Sequence, residues 1–207
     1  MKLTENEGIR KALASFVNCI WLGVLWLACS LPVVTLGASS VALYYAVVKG
    51  VRHDRGTPTK LFFSAFRDNF KTATITWLIC AAFLAVVTAD IVILRGSELR
   101  GTWLYICSWL LLIPMGLELS WIFAYISRFQ NSVIGGIRFS LFFALQQLGR
   151  TLLILLLYAA TVLLTLLWAP FALILPGLVC LACSYLVEPA FRPLTQTLGE
   201  SAAWYNE

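Results

Sequence analysis

Long apolar runs separated by short charged stretches set the plan of this chain. Six apolar segments stand out: Ala12–Leu31, Val33–Val48, Thr72–Leu94, Thr102–Ser127, Thr151–Ala169 and Phe171–Val187. A bilayer core of ~30 Å needs about 20 helical residues, within a range near 17–25. The first, third, fourth and fifth segments meet that length. The second and sixth are short and read either as complete spans or as re-entrant helices. Both follow a proline, Pro32 and Pro170. Proline cannot continue the preceding turn, and it pushes its predecessor out of helical geometry. One helix from Ala12 to Val48 would be about 55 Å long, so two helices with a corner at Leu31-Pro32 are expected. Thr35 and Gly37 supply the hydroxyl and the small residue such a corner needs. Ala38, Ala42, Ala46 and Gly50 then recur every four residues, a small-residue stripe that lets helices approach closely in lipid. The pattern predicts an all-α polytopic membrane bundle of about six apolar helices, five or six of them spans, in one domain covering 1–207.

Polar residues between the runs orient the bundle. Lys49 to Lys71 carries Lys49, Arg52, Arg55, Lys60, Arg67 and Lys71 against Asp54 and Asp68. Ser127 to Arg150 carries Arg128, Arg138 and Arg150 with no acid, whereas Arg95 to Arg100 sets Arg95 and Arg100 against Glu98. The positive-inside rule places the first two loops in the cytoplasm and the third outside; with six spans both termini are cytoplasmic, and with a re-entrant second segment the N-terminus is outside. Trp77, Trp103 and Trp168 fall near expected interfaces, while Trp21, Trp109 and Trp121 fall deeper, where packing between helices is expected. Lys2, Arg10 and Lys11 ahead of the first run resemble a signal peptide. The length of the run and the segments after it make it a retained span instead.

Two loop segments look amphipathic. After Thr57-Pro58, Lys60, Ser64, Arg67 and Lys71 fall on one helical face, and Phe62, Phe66 and Phe70, with Phe63 beside them, on the other. That is a basic helix suited to the membrane interface, or to docking a cytoplasmic partner. Leu141-Phe142-Phe143 through Arg150-Thr151 repeats Leu61-Phe62-Phe63 through Lys71-Thr72 in outline, so a second interfacial helix and an internal repeat, about 33–94 and 102–169, are expected.

Composition agrees with a lipid-solvated chain: 60% of residues are hydrophobic and 12% charged, where soluble domains run near 45–50% and about 25%. The net charge of +5 lies in loops and reads as membrane orientation, with no nucleic-acid partner. The bilayer itself is the first partner expected.

Candidate chemistry is sparse. Glu118 lies inside the fourth segment, one turn after Pro114 and Gly116, where an ionisable group usually faces a bundle interior or a wet cavity. Its readings are a proton or substrate contact, or a hydrogen-bonded interhelical contact to Asn18 or a serine. Asp90 near Arg95 reads as an interfacial charge. Glu188, followed by Pro189, reads as the end of the last helix. All six cysteines sit in apolar runs, where thiols behave as small hydrophobes. Cys180 and Cys183 have redox-like spacing, but at lipid depth, with His53 the chain's single histidine, they read as structural. P-loop, zincin and serine-hydrolase motifs are missing. The expectation is a non-enzymatic protein without a cofactor.

Asn18, Leu31-Pro32-Val33-Val34-Thr35-Leu36-Gly37, Ala42-Leu43-Tyr44-Tyr45 and Phe66-Arg67-Asp68-Asn69-Phe70-Lys71 together resemble the YesL family of small integral membrane proteins, mostly from Gram-positive bacteria, whose biochemical role is not established. The resemblance is strongest from about Asn18 to Trp77. Ala38-Ser39-Ser40 stands where that family often carries Pro-Ala-Thr. Its genes often lie beside those of carbohydrate ABC transporters and sensor kinases. The resemblance therefore implies a multi-pass protein of the bacterial cytoplasmic membrane that assists a sugar ABC transporter through its subunits. The alternative is a self-sufficient small transporter or a substrate-binding membrane component, resting on Glu118 and the repeat.

Overall fold

The computed structural model describes residues 2–96, 103–129 and 133–198. Glu98 and Arg100 of the expected outer loop and Asn131 of the second basic loop lie outside the described residues. Among the described residues there are eight α-helices and no strands: α1 Lys2–Ser30, α2 Leu36–Ala46, α3 Pro58–Gly96, α4 Trp103–Leu110, α5 Leu112–Arg128, α6 Val133–Gln146, α7 Leu148–Leu167 and α8 Phe171–Leu198. Among them, six stretches are long and apolar enough to cross a membrane, and these include both short segments, now Val33–Arg52 and Phe171–Phe191. The chain is a multi-pass, all-α membrane bundle.

The corner at Pro32 forms as the sequence predicts. α1 stops at Ser30, and Val33–Thr35 makes one 3₁₀ turn into α2. The Thr35 hydroxyl lies 2.6 Å from the Cys29 carbonyl and 2.7 Å from that of Pro32. Trp77 Nε1 donates to the Val33 carbonyl at 2.7 Å. Backbone groups freed by the break thus find partners inside the protein, as lipid requires.

α2 is the centre of the bundle. Ala38, Ala42 and Ala46 are fully buried, but so is Val41, and Leu43 and Tyr44 are nearly so. The small residues are therefore part of a helix wrapped on nearly every side. At Gly37 a Cβ would sit 2.5 Å from both the Ala73 carbonyl oxygen and Trp77 Cβ, which is why α3 can lie so close. A six-residue π turn, Val47–Arg52, ends this stretch. α1 and α8 meet with similar closeness: a side chain at Gly23 would collide with the Leu173 carbonyl, and one at Gly177 with the Cys19 carbonyl.

The expected interfacial helix at 58–71 is not a separate element. α3 runs unbroken from Pro58 to Gly96, because nothing between Lys71 and Thr72 interrupts its backbone. Phe62 is fully buried, in one cluster with Cys19, Leu22, Ala42 and Ala46, and Phe66 packs against the same cluster. These rings belong to the core, whereas Phe63 and Phe70 are exposed. The second expected interfacial helix does form a separate element, α6, but its buried face, Gly136, Ser140, Phe143 and Ala144, lies against the bundle. Phe62 and Phe143 are buried while Phe63 and Phe142 are exposed. The two Leu-Phe-Phe stretches thus pack through opposite phenylalanines.

The fourth apolar segment divides at Leu111 into α4 and α5. Pro114 accounts for the break, since it has no N–H for the Leu110 carbonyl and its ring crowds that carbonyl. Trp121 is fully buried, but Trp21 and Trp109 are about half exposed, against the expectation that they pack between helices. Trp21 instead donates to Thr59 Oγ1 at 3.0 Å.

Candidate functional site

Two arginines and a tyrosine converge on α8. Arg128, the last residue of α5, donates from Nη1 to Glu188 Oε2 at 2.9 Å, with side-chain exposures of 2% and 12%. Tyr44, from α2, donates its hydroxyl to the other oxygen, Oε1, at 3.0 Å. Both carboxylate oxygens are therefore engaged by donors from two different helices. The rings of Phe129 and Phe191 lie 5.4 and 5.7 Å from the Arg128 guanidinium, close enough for cation–π contact. One turn earlier on α8, Arg52 donates to the Ser184 carbonyl at 2.9 Å and stacks over the Tyr185 ring at 4.2 Å. Arg52 can reach α8 because it closes the π turn that follows α2; π turns recur at functional sites. His53 follows it. Partial burial, and then the Arg52 charge, hold its imidazole below the ordinary histidine value, so it adds little positive charge there near neutral pH.

Glu188 is thus no helix end. α8 continues through Pro189 and Pro193 to Leu198, and the residue is the hub of a part-buried polar cluster. A signal for it was present in the sequence. Arg128 and Glu188 close two apolar segments whose ends the loop charges place on the same side, and opposite charges there can pair.

Glu118 is buried, 6% exposed. Its partner is Ser140 on α6, whose hydroxyl lies 2.6 Å from Oε1 and also contacts the Gly136 carbonyl at 2.7 Å. Of the partners weighed for it, Asn18 is half-buried on α1 and makes no such bond; the serine is right, and the contact ties α6 to α5. Asp90 accepts a hydrogen bond from Ser108 of α4, so it ties α4 to α3. Among the described residues, no three His, Cys, Asp or Glu side chains gather to hold a metal. All six cysteines carry free thiols.

The remaining candidates lie along the start of α3. Lys60, Arg67 and Lys71 are exposed, with Phe63 and Phe70 beside them. Asp68 accepts from Ser64 at 3.1 Å, and Asn69 donates to the Ala65 carbonyl at 3.1 Å. Phe62 and Ala65 fix the opposite face in the core. The outcome is a charged and aromatic stripe on a helix that cannot turn.

Residues 19–91 match the model of a family described as "Protein of unknown function, DUF624", about a third of the chain. No curated protein matches the chain. No solved structure matches it either.

Proposed function

We propose that this chain is a non-enzymatic protein of the bacterial cytoplasmic membrane that assists or regulates a carbohydrate ABC transporter by binding one of its subunits. The observation that carries the reading is the stripe on α3. Lys60, Phe63, Arg67, Phe70 and Lys71 face outward from a helix whose other side is locked by Phe62 and Ala65. Exposed aromatic and arginine side chains on a rigid element are what partner surfaces use. The family match covers nearly all of the stretch, Asn18 to Trp77, that resembles YesL, and that resemblance supplies the transporter as the partner. The interior favours assistance over carriage of the sugar. A cavity between the described helices is lined mainly by apolar side chains, and the hydroxyls of Ser40, Ser120 and Thr161 in its wall each donate to a backbone carbonyl.

The test is affinity purification in mild detergent after crosslinking in cells. Wild-type protein is expected to bring down a membrane subunit of a sugar ABC transporter. Arg67→Glu with Lys71→Glu is expected to lose it while keeping a monodisperse elution. Recovery without any transporter subunit after crosslinking overturns the reading.

A further inference from the structure

We infer that the cavity between α2, α5, α7 and α8 is a binding site for a single hydrocarbon chain drawn from the bilayer. Its volume is about 290 Å³, roughly twice the ~150 Å³ apolar cavity that stays dry and takes benzene, and so enough for about a dozen carbons. Water is a poor occupant because the polar atoms around the cavity are committed. Ser40 Oγ donates to the Leu36 carbonyl at 2.8 Å and accepts from Trp26 Nε1 at 3.1 Å. Ser120 donates to the Gly116 carbonyl at 2.8 Å, Thr161 to the Leu157 carbonyl at 2.7 Å, and Tyr44 to Glu188. A polar solute would find no free hydroxyl donor among them, only spare acceptor lone pairs, and a buried polar group left short of partners is costly. An aliphatic chain asks for none. The supply is adjacent: α7 lines the cavity through Tyr158 and Thr161, while most of its remaining surface is exposed along a candidate span.

The site does not depend on the transporter proposal, since the α3 stripe contributes nothing to it. It does touch the buried ion cluster, because Tyr44 both lines the cavity and bonds Glu188. An occupying chain is therefore in position to bear on that cluster.

The experiment is photolabelling of the full-length protein in vesicles. One set carries phosphatidylcholine with a diazirine in one acyl chain, and a second carries the corresponding free fatty acid. Adducts are mapped by mass spectrometry. Ala124 and Cys183 line the cavity and are only 5% and 3% exposed. Bilayer lipid reaches them only by entering. Labelling at these two positions is expected, and its loss in Val179→Phe or Thr161→Phe, either of which fills the cavity, is expected while Leu166 on the lipid face stays labelled. Labelling by the phospholipid assigns an intact lipid, and labelling by the fatty acid alone assigns a single-chain amphiphile; either supports the site. Adducts confined to exposed positions such as Leu166 in the wild-type protein overturn it, whatever the variants do.

Discussion

At the scale of single residues, the Arg128–Glu188 pair is the costliest feature to disturb. Two charges removed from water are compensated only by each other and by the groups around them. Removing one leaves the other buried, so Arg128→Met or Glu188→Leu alone is expected to destabilise the protein by about 3–5 kcal/mol. The double variant leaves no charge behind and is expected to cost much less than the two single costs combined. Denaturant titration in detergent measures all three, and simple additivity would show that the pair is not coupled. Tyr44→Phe removes one donor to a charged acceptor and is expected to cost about 1.5–3 kcal/mol in the same assay. These residues were only partly legible. Glu118 announced itself, because an acid deep in an apolar run has few innocent explanations. Glu188 carried only the weaker signal of ending a segment on the same side as Arg128, and it was masked because Pro189 resembles a terminator and the sequence does not show that α8 continues past it. A residue's cost is visible in its own segment; its partner depends on which helices become neighbours.

Among elements, α2 explains most of the packing. The alanine stripe was legible, but the sequence could not show that the helix is enclosed, since apolar residues on its other sides suit lipid as well as protein. Ala42 is fully buried against Cys19, Leu22 and Phe62. Ala42→Leu is therefore expected to overpack the site and to cost about 1–3 kcal/mol. Leu at exposed Val86 of α3 is the matched control, expected to leave thermal unfolding in detergent unchanged. Equal tolerance at the two positions would deny that α2 is close-packed. The corner was legible because proline acts on the backbone itself. The continuity of α3 was not, because a change in the polarity of one face does nothing to the hydrogen-bond ladder beneath it. Arg52 and Arg128 each close a helical stretch that precedes a basic loop, and each reaches α8, at Ser184 and Glu188, one turn apart. That correspondence lies in how the helices end, where the Leu-Phe-Phe match did not look.

For the whole molecule, depth in the bilayer is what joins fold to function. At 1.5 Å per residue α3 is about 58 Å long, nearly twice the ~30 Å hydrocarbon core, so one part of it must lie outside unless it tilts steeply. The exposed Lys60, Arg67, Asp68 and Lys71 mark which part, since outward-facing charges at lipid depth are expensive. The candidate span α2 with its flanking turns is tied to that same part. Gly37 lies against Ala73 and Trp77, and Gly50 against Pro58 and Leu61. Half of α2 then lies at the same level as the stripe. α2 can sit there because protein, not lipid, surrounds it: 61% of its apolar window is buried. The prediction concerns single cysteines in a cysteine-free background, treated with a membrane-impermeant maleimide. Cysteine at Lys60 or Arg67 is expected to react from the cytoplasmic side, and cysteine at Ile79 or Val86 to be protected. Protection at Arg67 together with reaction at Val92 would move the bilayer toward the start of α3. It would place the charges in lipid, where only a neighbouring membrane protein could cover them. The first result leaves the stripe open to a partner from the cytoplasm; the second would require that partner within the bilayer.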